Sequence, residues 1–319
     1  MRALLLGGAG FIGLHLARRL VGDGHHVTVV DNFSRGRDDR DLASMRAHPA
    51  VDVISGDLTD PATYAALPRG FDQVYLLAAV VGVRNVEADP ARVIRVNTLA
   101  VMHLMDWIEP GTRLFFASTS EVYAGGVDLG VAPIPTDETV PVVIADVTAP
   151  RFSYAISKLL GEAAVTHTAA AKGCPAVVGR FHNVYGPRMG ADHVIPELSL
   201  RALRGEDPFR VFGAEQTRAF CHVDDAVNAM VALMDSTATG IVHIGNDAEE
   251  TNIGDLAKLV LRTADIDAEM VAAPAPPGAV ARRCPDLTRL RSLTGYVPAV
   301  SLEEGVRRTF DWYAEFWPR

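Results

Sequence analysis

Cysteine is scarce in this chain of 319 residues: Cys174, Cys221 and Cys284 lie far apart and outside any CxxC pair. Such a set excludes a disulfide framework or a zinc knuckle, and it suits a reducing cytosol. Long hydrophobic runs are also missing, none approaching the roughly 18 residues that cross a bilayer. The apolar start, residues 3–6, runs straight into a glycine cluster, so it reads as a strand and not as a signal peptide. An excess of positive charge is lacking as well. Thirty Lys and Arg against 39 Asp and Glu give a net charge of −9, which offers no surface for nucleic acid or an anionic membrane. That exclusion applies to the whole surface and leaves room for a local basic pocket. No internal repeat or low-complexity tract interrupts the chain. His25-His26, His182, His222 and His243 lack metal-ligand spacing, so no metal is expected; they read as structural, with His182 a further candidate for lining a substrate site. What remains is an ordinary globular composition, 49% hydrophobic and 22% charged, expected in the cytoplasm.

The length suggests two domains, or one with an elaboration. Almost fully apolar segments at 2–6, 27–30, 51–54, 74–79, 114–117 and 176–180 read as strands. Helical patterns run from Phe11 to about Val21, over about 90–107, and over about 153–171. Strands apolar on both faces and separated by helices indicate an α/β fold: a Rossmann-type, doubly wound parallel sheet with right-handed crossovers. After about Val184 the texture changes. Gly and Pro punctuate the chain at Gly186-Pro187, Gly205, Pro208, Gly213 and the loop 274–278, as expected of a smaller C-terminal α/β substrate domain.

Gly7, Gly10 and Gly13 fall in the turn between the first strand and the helix that opens with Phe11 and Ile12. Glycine suits that turn because a Cβ would block both the bend and the approach of a pyrophosphate, which the helix N-terminus then attracts. Asp31 ends the second strand. A carboxylate there accepts the adenosine ribose hydroxyls and repels a 2′-phosphate, favouring NAD over NADP, although Arg35 and Arg37 keep NADP open. Asp57 follows the third strand and is placed to meet the adenine. Asn32, Ser34, Leu58, Leu77 and Ala78 complete the candidate cofactor contacts.

Tyr154 and Lys158 are four residues apart on a helical pattern, hence on one face. An ammonium beside a phenol stabilises the phenolate, which can take a proton from a substrate hydroxyl while the hydride departs to a nicotinamide. Thr119 closes the fifth strand and can hydrogen-bond the same hydroxyl. The glycine turn, Asp31, Asp57, ASTSEVY (117–123) and YxxxK stand here in the order that resembles the extended short-chain dehydrogenase/reductases, the NAD-dependent epimerase/dehydratase superfamily. The likeness continues in GRFHNVYGPRM (179–189), QTRAFCHVDDAV (216–227) and RRCPDL (282–287).

The resemblance implies a nucleotide-sugar substrate, a pair of domains at 1–180 (cofactor, with a return segment about 222–248) and 181–221 with 249–319 (sugar nucleotide), and a homodimer through the helices at about 90–107 and 153–171. Glu121, two residues beyond Thr119 with Ser120 between, adds an acid or base near C5 of the sugar. Two subfamilies share this STSE arrangement, the UDP-glucuronate decarboxylases and the sugar-nucleotide 4,6-dehydratases. Pro150-Arg151 before Tyr154, together with GPRM and QTRAF, resembles the decarboxylases. Their chemistry oxidises C4, so the C5 carboxylate becomes that of a β-keto acid and leaves as CO₂. The product is a pentose nucleotide if C4 is reduced again, or a released 4-ketopentose. Arg188, with Arg151 as alternative, is the candidate to hold the carboxylate. By resemblance Asn183, Arg218 and Arg283 meet the diphosphate and Asp286 the ribose. Arg84, in the loop VVGVR (80–84), and Ala124, where glycine is usual, depart from the decarboxylase pattern and bear on sugar identity. A 4-epimerase or a non-enzymatic NAD-binding sensor are the other readings.

Overall fold

The computed structural model describes residues 1–35, 38–275 and 280–316; Arg37 and most of the proline-rich loop lie outside them. The chain runs β1 (Arg2–Leu6), α1 (Phe11–Gly22), β2 (His26–Asp31), α2 (Arg40–Arg46), β3 (Val51–Ser55), α3 (Pro61–Ala66), β4 (Gln73–Leu76), α4 (Val83–Ala88), α5 (Pro90–Trp107), β5 (Arg113–Thr119), a 3₁₀ turn (Ser120–Tyr123), α6 (Ala124–Asp128), α7 (Phe152–Lys172) and β6 (Ala176–Phe181). It continues through β7 (Val184–Tyr185), α8 (Val194–Leu203), β8 (Phe209–Phe212), β9 (Thr217–Ala219), β10 (Cys221–His222), α9 (Val223–Asp235), β11 (Gly240–Ile244), β12 (Glu250–Asn252), α10 (Ile253–Ala264), β13 (Met270–Ala273), β14 (Arg282–Arg283), α11 (Thr288–Thr294) and α12 (Leu302–Phe316).

Seven strands form one sheet in the order β11-β6-β5-β4-β1-β2-β3. The pairs β1–β2, β2–β3, β1–β4 and β4–β5 are parallel, and the order reverses between β1 and β4 as a doubly wound sheet requires. Strands β1 and β4 are buried almost throughout because helices cover both faces, which explains their unbroken apolar sequence. One side of the sheet packs Leu4, Leu6, Leu76, Leu114 and Phe116 against Val101, Leu104 and Val165 of α5 and α7. Helix α5 starts where Asp89 accepts the Arg92 N–H at 2.9 Å and Pro90 fills the first turn, while α7 stops at Gly173 in the left-handed conformation, φ 68°.

Two compact units divide the chain. The first holds residues 1–125, 142–180 and 229–242, and the second 126–141, 181–228 and 243–319. The segment 126–141 thus belongs with the second unit, where the expected division had kept it in the first. Its reason is local pairing: Thr136 N donates to the Cys284 carbonyl at 3.0 Å and Asp286 N to the Thr136 carbonyl at 2.7 Å. The stretch returning to the first unit is 229–242, shorter than the expected 222–248. The second unit has its own core, in which Ile195, Phe209, Leu256, Val260, Val306 and Phe310 meet.

Strand β4 ends at Leu76 and not at residue 79, because Leu77 N and Ala78 N both turn to the Leu6 carbonyl, at 2.8 and 2.9 Å. No helix among the described residues is long and apolar enough to cross a membrane.

Candidate active site

The turn after β1 is built for close approach. Gly7 has φ 88°, and a Cβ there would lie 2.5 Å from Ala78 N; one at Gly13 would lie 2.6 Å from the Gly8 Cα. Gly10 occupies the N-cap of α1 with no side-chain cap, so the first N–H groups of that helix, from Phe11 and Ile12 onward, remain available to an anion. Asp31 is buried. Its Oδ2 accepts the Ala9 N–H at 3.1 Å and its Oδ1 the Phe33 N–H at 2.9 Å, so one carboxylate braces both the glycine turn and the chain after β2.

Asn32 donates through Nδ2 to Asp57 Oδ2 at 3.2 Å and accepts the Ser34 N–H at 3.1 Å, linking the ends of β2 and β3. Hydrogen bonds from Thr59, the backbone first, hold the Asp57 carboxyl below the usual carboxylate range. Leu58 is buried under this edge, beside Leu6 and Val30. Arg35 donates to the Val81 carbonyl at 3.0 Å, so that guanidinium is directed to the loop after β4. These residues fit a dinucleotide with free ribose hydroxyls: a cradle that a Cβ would fill, an uncapped helix N-terminus and a buried carboxylate at its edge.

Thr119, Glu121, Tyr154 and Lys158 come together at the end of β5. Thr119 Oγ1 accepts the Glu121 N–H at 3.2 Å and lies where its hydroxyl acts on the Tyr154 phenol. Ser120 is buried in the 3₁₀ turn between Thr119 and Glu121. Burial pushes the Tyr154 phenol well above its ordinary value, and the Glu121 charge adds to this; the Thr119 hydroxyl and the Arg35 charge act in the opposite sense. Lys158 lies under the ring, its Nζ 5.9 Å from the Tyr154 centroid and 5.0 Å from that of Phe116. Burial pulls its ammonium down to about 8, while Glu162 favours the charged form.

Several supporting residues were not among those anticipated. Asn97, buried on α5, accepts the Val80 N–H at 2.7 Å and donates to the Val80 carbonyl at 3.2 Å and to Ser157 Oγ at 3.1 Å. Ser157 Oγ in turn donates to the Tyr154 carbonyl at 2.8 Å, so Asn97 ties the loop after β4 to the turn of α7 that carries Tyr154 and Lys158. Glu162 and Arg180 form a buried ion pair, Nη2 to Oε2 at 2.6 Å. An arginine inside the strand sequence AVVGRF was the available signal, since a buried guanidinium requires a partner.

Arg151 and Arg84 belong to the first unit. Arg151 caps α7 with its guanidinium over the Phe152 ring, 4.9 Å to the centroid, and Arg84 is exposed on α4, a helix not foreseen from VVGVR.

In the second unit, Asn183 and Arg188 flank β7 and both have positive φ, 42° and 72°. Side chains rarely accept that conformation, and such strain clusters at binding and catalytic positions. Asn183 Nδ2 donates to the Ala219 carbonyl at 3.0 Å, and Arg188 is only 5% exposed. Arg283 pairs with Arg218 across the parallel strands β14 and β9. Asp286 accepts the Thr288 N–H at 2.7 Å, and hydrogen bonds from Thr288, the side chain first, hold its carboxyl below the usual range. His182 and His243 are buried with ring centroids 4.6 Å apart, and His243 Nδ1 lies 3.2 Å from the Asp286 carbonyl oxygen.

Residues 3–254 match the NAD dependent epimerase/dehydratase family. The chain is 34% identical over 316 residues to UDP-glucuronic acid decarboxylase 1 of Xenopus tropicalis, covering 98% of this chain and 72% of that protein. It is 33% identical over 325 residues to UDP-N-acetyl-alpha-D-glucosaminuronate decarboxylase of Bacillus cytotoxicus, covering 98% of each. Among solved structures, UDP-glucose 4-epimerase of Thermotoga maritima with UDP-glucose aligns with a TM-score of 0.85 at 30% identity over 98% of both chains. UDP-glucuronic acid 4-epimerase of Bacillus cereus, in complex with UDP-glucuronic acid and NAD, aligns with a TM-score of 0.87 at 25% identity over 99% of this chain and 100% of that one. With its glycine turn, buried Asp31 and Thr119–Tyr154–Lys158 cluster, the chain belongs to the NAD dependent epimerase/dehydratase family.

Proposed function

We propose that the protein is an NAD-dependent decarboxylase of a nucleoside-diphosphate glucuronate, either UDP- or dTDP-linked. The observation that carries the reading is Glu121, held in the 3₁₀ turn directly after Thr119 with its N–H donating to Thr119 Oγ1 at 3.2 Å, which sets a carboxylate beside the Thr119–Tyr154–Lys158 cluster. A 4-epimerase needs only Thr119, Tyr154 and Lys158, so a carboxylate beside them points to chemistry at C5 as well as C4. Two relatives that cover nearly the whole chain are named as uronate decarboxylases, which supports the same substrate class.

When bound, NAD⁺ supplies a hydride acceptor and later the donor. The residues supply the rest. Thr119 and Tyr154 bind the C4 hydroxyl, and the Tyr154 phenolate, stabilised by the Lys158 ammonium, takes its proton as C4 becomes a ketone. The C5 carboxylate then belongs to a β-keto acid: the C5–C6 bond breaks, CO₂ leaves, and the electron pair forms an enolate conjugated with C4. Glu121 and Ser120 orient the ring and pass a proton taken up from water to C5, quenching the enolate. Tyr154 gives its proton back to the C4 oxygen when C4 is reduced; otherwise the 4-ketopentose departs. Arg188, or Arg151, holds the carboxylate bidentately. Asn183, Arg218 and Arg283 neutralise the diphosphate, Asp286 accepts from the ribose, and Arg84 borders the sugar.

We further infer a cytoplasmic homodimer. The three cysteines are free and buried, in keeping with a reducing compartment. Ile94 and Met102 of α5 and Leu160 of α7 are 40%, 42% and 42% exposed, an apolar face that a second copy would cover.

Incubation with NAD⁺ and UDP- or dTDP-glucuronate tests the reading, with CO₂ and the sugar product measured by mass spectrometry. A pentose or 4-ketopentose nucleotide is expected. Conversion of a glucose nucleotide to its 4-keto-6-deoxy product, with no CO₂ from the uronate, would assign a 4,6-dehydratase instead. Glu121→Gln should slow CO₂ loss more than the first hydride transfer, and an unaffected variant would indicate an epimerase.

A further inference from the structure

We propose that Glu162 is a positioning residue of the hydride-transfer site: it keeps Lys158 in its charged form and, through Arg180, ties the end of β5 to helix α7. The inference rests on Tyr154 and Lys158 being the proton-transfer pair, and on nothing about which sugar is bound.

Four buried side chains from four elements close one network. Arg180 of β6 donates through Nε to Glu162 Oε1 at 2.9 Å and through Nη2 to Oε2 at 2.6 Å. Its Nη1 donates to the Tyr123 hydroxyl oxygen at 2.5 Å, and Ser118 Oγ donates to Glu162 Oε1 at 2.5 Å. Ser118 precedes Thr119 in β5, and Tyr123 closes the 3₁₀ turn that carries Ser120 and Glu121. The network therefore spans the chain on either side of the residues that would face the substrate. It also gathers Ser118, Tyr123 and Arg180, members of the ASTSEVY and GRFHNVYGPRM segments to which no substrate contact has been given.

Stability alone is a weak reason for such a pair. Glu162 and Arg180 are 5% and 3% exposed, and two charges taken that far from water recover little more than the cost of desolvation. The location supplies a better reason. Tyr154, Lys158 and Glu162 follow at four-residue intervals on α7, so they share one face, with the carboxylate a single turn beyond the ammonium.

The other groups around Lys158 do not replace that carboxylate. Strand β5 offers the Ala117 carbonyl, 2.7 Å from Nζ, and the Phe116 ring, both uncharged. Helix α5 offers the neutral amide of Asn97, already bonded to Ser157. Glu121 of the 3₁₀ turn and Arg35 of the loop after β2 act on the Tyr154 phenol. Tyr123 and Arg180 are bonded to each other, and the Arg180 charge is met by both oxygens of Glu162.

The chain has only three lysines, Lys158, Lys172 and Lys258, so NMR of ε-¹³C-lysine resolves their titrations without any substrate. In the NAD-loaded protein, with the Lys158 signal assigned by its absence in Lys158→Met, Glu162→Gln is expected to lower the Lys158 midpoint by about one pH unit or more. Glu162→Asp should restore most of it. The alkaline limb of the pH–rate profile should move to lower pH by a similar amount. Should Glu162→Gln not fold, Glu162→Gln combined with Arg180→Gln removes the cation that the single change leaves uncompensated, and a smaller downward movement is expected because the repulsion from Arg180 goes with it. A Lys158 midpoint unmoved in the folded variant would overturn the proposal and leave the pair a purely structural one. Absence of activity on a uronate would count against the substrate reading and leave the lysine titration to decide this one.

Discussion

Lys158 Nζ donates to the Ala117 carbonyl at 2.7 Å, fastening the middle of α7 to β5 two residues before Thr119. The bond holds the ammonium under the Tyr154 ring and removes it from water. The same geometry that readies it to stabilise a phenolate therefore makes its charge costly.

That cost depends on pH in a definite direction. The Lys158 pKa is lowered from 10.5 to about 8, so below about 8 both folded and unfolded chains carry the charge and the penalty is fully present. Between those values the folded chain has released a proton that the unfolded chain still binds, and stability rises with pH. Compared by urea unfolding at about pH 7 and about pH 10, the stability of wild type relative to Lys158→Met should improve at the higher pH, by a few kcal/mol. A gap that stays constant would show that the ammonium is solvated.

Tyr154→Phe removes the proposed proton acceptor and little volume. Turnover should fall by about 10²- to 10⁴-fold while NAD affinity is retained. Stopped-flow absorbance of reduced cofactor, with calorimetry for binding, separates the two effects. Loss of NAD binding alone would place Tyr154 in cofactor support.

Asp31→Asn should weaken NAD binding and loosen the glycine turn together, since the carboxylate braces Ala9 N and Phe33 N. Removing its charge also narrows the preference over NADP. Calorimetry with both dinucleotides should show the NAD affinity falling by at least about tenfold and the NADP affinity falling less.

Sequence pattern made the parallel sheet legible because each strand is buried on both faces, and helix α5 was placed at 90–107 by Pro90 and its periodicity. Asp31, Thr119, Tyr154 and Lys158 were legible because their spacing is set by the elements that carry them. Asn97 and Glu162 were not. Each acts by reaching a distant segment, and a single polar residue on an amphipathic helix looks the same whether it meets water or a buried partner. The grouping of 126–141 with the second unit is equally hard to read from sequence, since its backbone pairs with residues some 150 positions later.

Gly161 lies between Lys158 and Glu162, where α7 rests directly on β5. A Cβ there would stand 2.4 Å from the Phe116 ring. Gly161→Val should cost about 1–3 kcal/mol by overpacking, and should lower turnover more than an equally destabilising change elsewhere, because the helix can relieve the clash only by moving Tyr154 and Lys158. Unfolding curves read beside turnover numbers test this, and a loss of stability with normal turnover would show that Phe116 yields instead.

The neighbours Arg282 and Arg283 provide an internal comparison. Side chains alternate across a strand, and β14 pairs Arg282 with Thr217 and Arg283 with Arg218. On the Thr217 side the charge is already matched: Arg282 Nε and Nη2 donate to Glu250 Oε1 and Oε2 at 2.8 and 2.9 Å, and Thr217 Oγ1 donates to Oε1 at 2.7 Å. On the other side two guanidinium-bearing residues, Arg283 and Arg218, stand at one register position. Arg218 Nη1 donates to the Thr217 carbonyl at 2.7 Å, and both arginines are the ones proposed above to neutralise the diphosphate. Arg283→Ala and Arg218→Ala should therefore each weaken UDP binding by at least about tenfold and reduce its dependence on salt. Arg282→Ala, which breaks a half-exposed ion pair, should change UDP binding little and stability by no more than about 1 kcal/mol. Calorimetry with UDP at two salt concentrations distinguishes the three variants; equal losses at Arg282 and Arg283 would mean that the strand is held by the pair with Glu250 and does not sort its charges by face.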